Sequence, residues 1–150
     1  MGHVPYDYDP LDTYRYKFVS MGRKRIEKVV EFIPTGIPKI MNLSFGDVLI
    51  DGSIDHTSIS NNGDVTKVMA TVIEIIDYFT SKRPEVAIIF TGSTTERIRL
   101  YKRILRLYYP VFRKTFLIWG IVRMGDDFED VPFHPDAAIE YSAFLIKRIV

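Results

Sequence analysis

Hydrophobic positions in the first third of the chain follow the period of a β-strand. Apolar or aromatic residues recur at every second position from Tyr14 to Phe18, and a second apolar run with charged residues on its other side covers Arg25 to Ile33. A third run covers Lys39 to Phe45 and resumes at Val48 to Ile50. Alternation of this kind predicts half-buried strands joined by short turns. We therefore predict an antiparallel meander of three or four strands, followed by a polar strand edge or loop at Ser53 to Asn62.

The middle of the chain changes to the period of a helix. Apolar residues spaced by three and four from Val65 to Phe79 predict a first helix that ends near Ser81. A second helix is predicted over Thr94 to Tyr109, limited by Pro110, because proline lacks the N–H donor that a helix requires. The continuously apolar run Val86 to Phe90 lies between them and predicts a strand covered on both faces, central in the sheet and paired in parallel with a neighbour.

The ends of the chain complete the predicted architecture. Two strands, Thr115 to Arg123 and Tyr141 to Ile149, flank an acidic loop at Gly125 to Asp136. Residues 1–13 show no sustained period and are predicted to be an irregular arm, and residues 14–150 have the length of a single domain. The predicted class is α+β: a twisted, mostly antiparallel sheet in the order three or four strands, helix, strand, helix, two strands, with both helices packed against it.

Composition excludes several classes of protein. An apolar fraction of 47% and a charged fraction of 26% are typical of a globular domain, and a net charge of +1 argues against attraction of the whole protein to nucleic acid or anionic lipid. The absence of cysteine excludes disulfides, thiolate nucleophiles and cysteine-ligated metals. No apolar run approaches the about 20 residues of a membrane helix, and the N-terminus does not have the pattern of a signal peptide. A cytoplasmic protein without membrane association is expected.

The starts of the two helices are the candidate ligand-binding positions. Each helix follows a loop rich in small and polar residues, so its first N–H groups are available to an anion. The candidates are Asn61, Asn62, Gly63 and Asp64 before the first helix, and Gly92, Ser93, Thr94 and Thr95 before the second. Both loops also have a purely structural interpretation. Asn or Asp caps the first helix, and Ser93 with Glu96 matches a capping box for the second.

A dense basic stretch follows the second loop. Arg97 and Arg99 favour an anion at this helix start, and further lysines and arginines extend the stretch to residue 114. The basic helix 97–114 has two interpretations, a solvated face or a contact with nucleic acid or an acidic partner.

Metal-binding and hydrolytic motifs are not found. His56 lies near several aspartates in sequence, but no ligand spacing such as HExxH accompanies it, so no metal site is predicted. Serine residues lack the Gly-x-Ser-x-Gly elbow of many hydrolases.

Three segments carry a resemblance to known proteins. SFGD (Ser44 to Asp47), SNNGDVTKVMATV (Ser60 to Val72) and TGSTTERIRLYKRI (Thr91 to Ile104) together resemble a family of uncharacterised bacterial proteins of about this length. This resemblance covers nearly the whole chain and implies a common fold.

A weaker resemblance, in the order of elements, is to GNAT-type N-acetyltransferases. In that superfamily the loop before the first of these helices receives the pyrophosphate of coenzyme A, which here corresponds to Asn62, Gly63, Asp64 and Val65. The second helix commonly carries a tyrosine that protonates the leaving thiolate, and Leu100-Tyr101-Lys102-Arg103 is similar, which implies Tyr101 as the acid. The chain departs from the pattern at the loop, where a single glycine is followed by Asp64, whose carboxylate would repel a pyrophosphate.

These observations lead to one expected function and two alternatives. The first is a GNAT-like fold that binds an acyl-CoA, such as acetyl-CoA, or another phosphate-bearing ligand at the paired helix starts, with acyl transfer as the reaction. The alternatives are a non-enzymatic binding protein that uses the basic helix to contact nucleic acid or an acidic partner, and a fold-relative without catalysis.

Overall fold

The computed structural model describes residues 4–55, 62–91 and 94–149, which form one nine-stranded sheet and two helices. The strands are β1 (Tyr8–Pro10), β2 (Arg15–Met21), β3 (Arg25–Pro34), β4 (Ile40–Val48), β5 (Ile54–Asp55), β6 (Ala87–Phe90), β7 (Phe116–Met124), β8 (Asp127–Pro132) and β9 (Ala143–Arg148). The helices are α1 (Val65–Ser81) and α2 (Thr95–Phe112).

The sheet is mixed and mostly antiparallel. Its strand order is β1-β2-β3-β4-β6-β9-β7-β8, with β5 paired to β4 beside this path. The only parallel pairing among the described strands joins β4 to β6. The predicted α+β class is thereby confirmed, together with the parallel pairing of the apolar run that ends at Phe90. The likeness to the GNAT order of elements stays a prediction.

Alternation places one face of the meander in the core. Tyr16 and Phe18 of β2 are buried, as are Val30 and Phe32 of β3 and Phe45 of β4. Strand register joins them into rows, since Tyr16 lies opposite Val30 and Val30 lies opposite Phe45. Burying several aromatic side chains on one sheet face supplies a large part of the hydrophobic free energy of folding.

Both helices pack on this same face. Phe79 of α1 stacks on Phe32 with 3.9 Å between ring centroids, and Tyr101 of α2 meets the ring of Phe90 edge to face at 5.5 Å. The predicted bounds of α1 are confirmed at both ends, because its apolar face is long and continuous.

The second helix is longer than predicted. Pro110 does not end it, and α2 continues to Phe112. Proline removes one N–H donor from the last turn, but the additional turn buries Phe112, whose ring stacks on Phe116 at 4.6 Å. Tertiary packing of an aromatic side chain therefore outweighs one lost hydrogen bond at this position.

Two short strands lie in segments predicted to be irregular. β8 occupies part of the acidic loop and pairs with β7 through a turn at Gly125, whose φ of 65° is in the left-handed region. β1 lies in the N-terminal arm and pairs with β2. Both are edge strands exposed along most of their length, so they carry little of the hydrophobic alternation on which the sequence prediction depends.

Candidate functional site

The two helix starts lie at one edge of the sheet. β4 and β6 run parallel, so their carboxyl ends face the same way, and β6 leads on to α2. Asn62, just before α1, bonds the β2–β3 hairpin, which lies beside the carboxyl end of β4. In open parallel α/β sheets ligands bind at the carboxyl ends of the strands, and β4 with β6 is the one described pair here that has this arrangement. The described residues just before the two helices, 62–64 and 94, therefore lie at the same end of the sheet.

A slot opens where β4 and β6 separate. They pair only over Ile40–Asn42 and Ala87–Ile89, and β5 pairs with β4 again at Asp47 and Val48. The stretch of β4 between these pairings lies beside a slot of about 150 Å³. The described residues that line it are Asn42, Leu43, Ser44, Phe45, Thr91, Arg97 and Tyr101.

The Arg97 side chain forms one wall of the slot. The side chain belongs to the first turn of α2, yet the residue is only 4% exposed. Its Nη1 donates a hydrogen bond of 2.7 Å to the carbonyl oxygen of Phe45, and the guanidinium lies 5.3 Å from the Phe45 ring centroid. Phe45 lies in the part of β4 that neither β6 nor β5 pairs, so the guanidinium bonds a carbonyl of that stretch. A buried cation is thus held at a fixed position in the gap of the sheet.

Tyr101 lies one turn further along α2 and lines the same slot. It is 5% exposed, and its hydroxyl interacts with Arg97. Burial raises the pKa of Tyr101 above its ordinary value of 10.0, while the charge of Arg97 and the hydrogen bond to it act in the opposite direction. Because burial is the larger effect, the phenol is protonated at neutral pH, so it can donate a proton or a hydrogen bond into the slot.

The raised pKa of Tyr101 predicts a loss of stability in alkali. The unfolded chain ionises this tyrosine near pH 10, before the folded protein does, so its contribution is complete below pH 10 and is lost as pH rises through the folded pKa. Urea unfolding between pH 8 and pH 11 should show a shallower decline for Tyr101→Phe than for the unsubstituted protein. Tyr6, Tyr8, Tyr16 and Tyr108 also have raised pKa values, so the decline is reduced and not abolished. Parallel declines for the two proteins would contradict this assignment.

Asn62, before α1, is engaged entirely with the β2–β3 hairpin. Its Oδ1 accepts from Lys24 N at 2.7 Å, and its Nδ2 donates to Lys24 O and to Ser20 Oγ, each at 2.8 Å. The residue is buried, and its own carbonyl accepts from Arg23 N. The structure thus assigns Asn62 a structural role, that of fastening the loop before α1 to a turn of the sheet.

Gly63 and Asp64 complete the approach to α1. Gly63 adopts φ of 83°, the left-handed conformation that glycine tolerates. The Asp64 side chain makes no capping hydrogen bond, so the interpretation of Asp64 as a side-chain cap is wrong. Its Oδ2 instead accepts hydrogen bonds of 2.5 Å from the hydroxyls of Tyr6 and Ser20. Asp64 therefore links the start of α1 to the N-terminal arm and to β2.

The start of α2 has a different register from the predicted capping box. Thr94 is the N-cap, and its hydroxyl oxygen accepts from Arg97 N at 3.2 Å. Thr94 and Thr95 line a wide cleft of about 660 Å³ with Ile98, Arg123, Glu140, Tyr141 and Ser142. Asn61, Gly92 and Ser93, three of the predicted ligand-binding residues, lie outside the described residues, as does His56.

The structure does not bring the described members of the predicted ligand-binding set into one cavity. Arg97 and the predicted acid Tyr101 meet in the slot, whereas Thr94 and Thr95 line the cleft. Neither lining includes a residue of 62–64. Arg99 is on the exposed face of α2 and lines neither cavity.

The basic side chains of the stretch 97–114 lie in different environments. Arg97 points into the slot, and Lys102 donates to the carbonyls of Ala137 and Ile139 at 3.1 and 3.0 Å. Arg106 forms a solvent-exposed ion pair with Asp136 at 3.3 Å. Other basic residues of the stretch are exposed, namely Arg99, Arg103, Arg113 and Lys114. The surface available to a polyanion is therefore smaller than the sequence suggested.

A buried ion pair near the slot was missed by the sequence analysis. Lys28 Nζ lies 2.5 Å from Asp47 Oδ1, with side-chain exposures of 4% and 14%. The ammonium is 5.5 Å from the centroid of Phe45, the ring that Arg97 also approaches. One feature of the sequence could have indicated that Lys28 is buried. Lys28 occupies an inward position of β3, two residues before the buried Val30.

Two kinds of feature are absent from the described residues, namely a metal-binding cluster and a membrane-spanning helix. Residues 4–55, 62–91 and 94–149 contain no cluster of three or more acidic or histidine side chains that could hold a metal ion. Within the same residues, neither helix combines the length and apolar character needed to cross a membrane.

Comparison with known proteins gives a family and no closer relative. No curated protein and no solved structure matches the chain. The model of a family of unknown function, DUF6934, matches residues 3–149. Because the match extends over almost the whole sequence, the chain belongs to the DUF6934 family.

Proposed function

We propose that this protein binds an acyl-CoA with the thioester in the slot between β4 and β6, and that it transfers the acyl group to an acceptor. The observation that supports the proposal is the slot itself. It lies at the edge of the sheet where both helices start and is lined by a buried cation and a buried phenol. The resemblance to GNAT-type N-acetyltransferases suggests the reaction type.

Each part of the slot has a role in this proposal. Asn42, Ser44 and Thr91 offer polar groups to the amides of the extended coenzyme arm, and Leu43 and Phe45 offer apolar contact. The phosphates would lie at the starts of α1 and α2, where first-turn N–H groups attract anions, apart from the Arg97 N–H, which donates to Thr94 Oγ1. The Asp64 carboxylate, which departs from the acetyltransferase pattern, is occupied by Tyr6 and Ser20.

The proposed chemical step uses Tyr101 as the acid. A nucleophile of the acceptor attacks the thioester carbonyl carbon, and the carbon–sulfur bond breaks as the new acyl bond forms. The leaving thiolate takes the proton of the Tyr101 hydroxyl, and the proton lost by the nucleophile passes to solvent, from which Tyr101 is reprotonated. Arg97, which interacts with the Tyr101 hydroxyl, stabilises the transient phenolate.

Ligand binding tests the proposal. Coenzyme A and acetyl-CoA should raise the melting temperature, by the equivalent of about 2.7 kcal/mol when the ligand is at 100 times its dissociation constant. Thr91→Phe should weaken calorimetrically measured binding at least tenfold, because the ring would occupy the slot. Thr13→Phe is the matched control, since Thr13 is exposed at the opposite edge of the sheet. Tyr101→Phe should retain binding but lower transfer by about 10²–10⁴-fold.

Three outcomes would change the assignment. If neither compound binds, or if Thr91→Phe binds as tightly as Thr13→Phe, acyl-CoA binding in this slot is wrong. Binding without transfer to any acceptor would favour the alternative of a fold-relative without catalysis.

Contact with nucleic acid or an acidic partner through the basic helix 97–114 remains a second candidate. The exposed Arg99 and Arg103, one turn apart on α2, favour it. A salt-dependent gel shift that is lost when both are changed to glutamate would support it in place of acyl-CoA binding. A cytoplasmic location stays a prediction under either function.

A further inference from the structure

We infer that this protein forms a two-fold symmetric homodimer through the outer face of β6, β9, β7 and β8. The outer face is the side of the sheet opposite the two helices. The inference goes beyond the proposed function and does not depend on it. Two features carry it: a wide apolar surface on this face, and the positions of one lysine and one aspartate on either side of its centre.

The outer face of these four strands is apolar. Along β7, Phe116 and Val122 pack toward the core, and alternation turns the intervening odd-numbered residues outward. Strand register joins those residues to outward neighbours on β6, β8 and β9. The apolar side chains of this surface, here called the outer patch, are Ile89, Leu117, Trp119, Ile121, Phe128 and Leu145. The core formed by the described residues includes none of them, and Leu117 and Phe128 are 47% and 60% exposed.

The outer patch differs from the rest of the same face. On β2 and β3 that face carries charged residues such as Lys17, Glu27 and Glu31, which is the usual composition of a solvated sheet face. Four strands about 4.8 Å apart and three rows of outward side chains give the outer patch about 400 Å² of flat area. Apolar patches of this size mark interaction sites, and a specific interface needs about 500 Å² from each partner. The patch and its flanking charged residues are therefore large enough for a dimer.

Lys147 and Asp130 flank the outer patch symmetrically. In the sheet register Lys147 lies beside Leu117, and Asp130 lies beside Ile121 on the other neighbouring strand. Trp119 is therefore midway between them. Strand spacing and rise separate the two charged residues by about 16 Å, which is too far for an ion pair within one chain.

This arrangement is complementary to a second copy of itself. In a two-fold interface, if residue i contacts residue j, then j also contacts i. An axis between two facing sheets that passes beside Trp119 brings Lys147 opposite Asp130 of the partner subunit, and it does so twice. The same axis stacks the two Trp119 side chains and places Ile121 near Leu145 of the partner subunit. An ammonium at the border of a buried apolar surface is costly without a counter-ion, and the dimer supplies one.

Sedimentation velocity of the full chain tests the dimer, with Trp119 fluorescence as a second measurement. Trp119 is the only tryptophan, so its emission should shift to the red as dilution dissociates the dimer. Lys147→Glu and Asp130→Lys should each weaken association at least tenfold, because each creates two contacts between like charges. An equal mixture of the two variants should associate again, since every contact between them joins opposite charges. Lys17→Glu is the matched control on the charged part of the same face and should leave association unchanged.

Several results would overturn the inference. A protein that is monomeric up to millimolar concentration does not use the outer patch for a second copy, and a blue shift of Trp119 on adding lipid vesicles would then assign the patch to a membrane surface. Association that persists in both single variants would place the interface elsewhere. Folded variants that fail to associate when mixed would contradict the two-fold pairing. If circular dichroism shows that either variant is unfolded, Phe128→Ser at an exposed position replaces it, and unchanged association of Phe128→Ser would overturn the inference.

Discussion

Lys28→Met is expected to lower the free energy of unfolding by about 3–5 kcal/mol, the cost of removing one partner of a buried ion pair. The substitution leaves the Asp47 carboxylate, 14% exposed, without the ammonium that lies 2.5 Å from it. Methionine keeps most of the apolar stem of lysine, so the change reports chiefly the charge. Urea unfolding at neutral pH measures it.

Two further variants test the reason for this loss. Lys17→Met replaces an exposed lysine on the neighbouring β2 and should change stability by less than about 0.5 kcal/mol. The double variant Lys28→Met, Asp47→Leu removes both charges and should recover much of the loss, because an apolar pair can replace a buried ion pair. If Lys28→Met is as stable as Lys17→Met, the ion pair is not a stabilising contact.

Asn62→Ala is expected to cost about 3 kcal/mol, since three side-chain hydrogen bonds contribute about 1 kcal/mol each. The amide is buried, so its partners on Ser20 and Lys24 are not reached freely by water after truncation. Loss of these bonds should also loosen the loop before α1 from the β2–β3 hairpin. Chemical denaturation of Asn62→Ala, Ser20→Ala and the double variant measures the coupling between the two side chains.

The same variant distinguishes a structural role for Asn62 from a ligand-binding role. If the amide is structural, stability falls and the remaining folded protein binds coenzyme A with little change. Normal stability combined with lost binding would instead show that Asn62 contacts the ligand. A coupling energy near zero between Asn62 and Ser20 would also argue against the structural role.

Most of the architecture was predictable because the relevant signals are local. The amphipathic period of α1 fixes both of its ends, and the apolar run before Thr91 identifies β6 as a central strand. The missed elements have no such signal. β8 is exposed along nearly its whole length. The extension of α2 beyond Pro110 depends on packing of Phe112 against Phe116 of β7.

The candidate site was predictable only in part. The sequence identified Arg97 by residue type and Tyr101 by resemblance, but it grouped Arg97 with Arg99, which lies on the exposed face of α2. Spacing along α2 could not reveal that this arginine reaches a carbonyl 52 residues earlier in the chain. Asp64 presents the same difficulty, because its hydroxyl partners Tyr6 and Ser20 come from the arm and from β2.

The sequence by itself determined the class of fold and the helix on either side of β6, since hydrophobic period and turn residues are properties of neighbouring positions. Only the tertiary structure decided which polar side chains are structural and which line a cavity. That distinction depends on where β4 and β6 separate and on contacts between residues distant in sequence, such as Arg97 with Phe45 and Lys28 with Asp47. Pairings of this kind form only when the sheet assembles, so no local pattern encodes them.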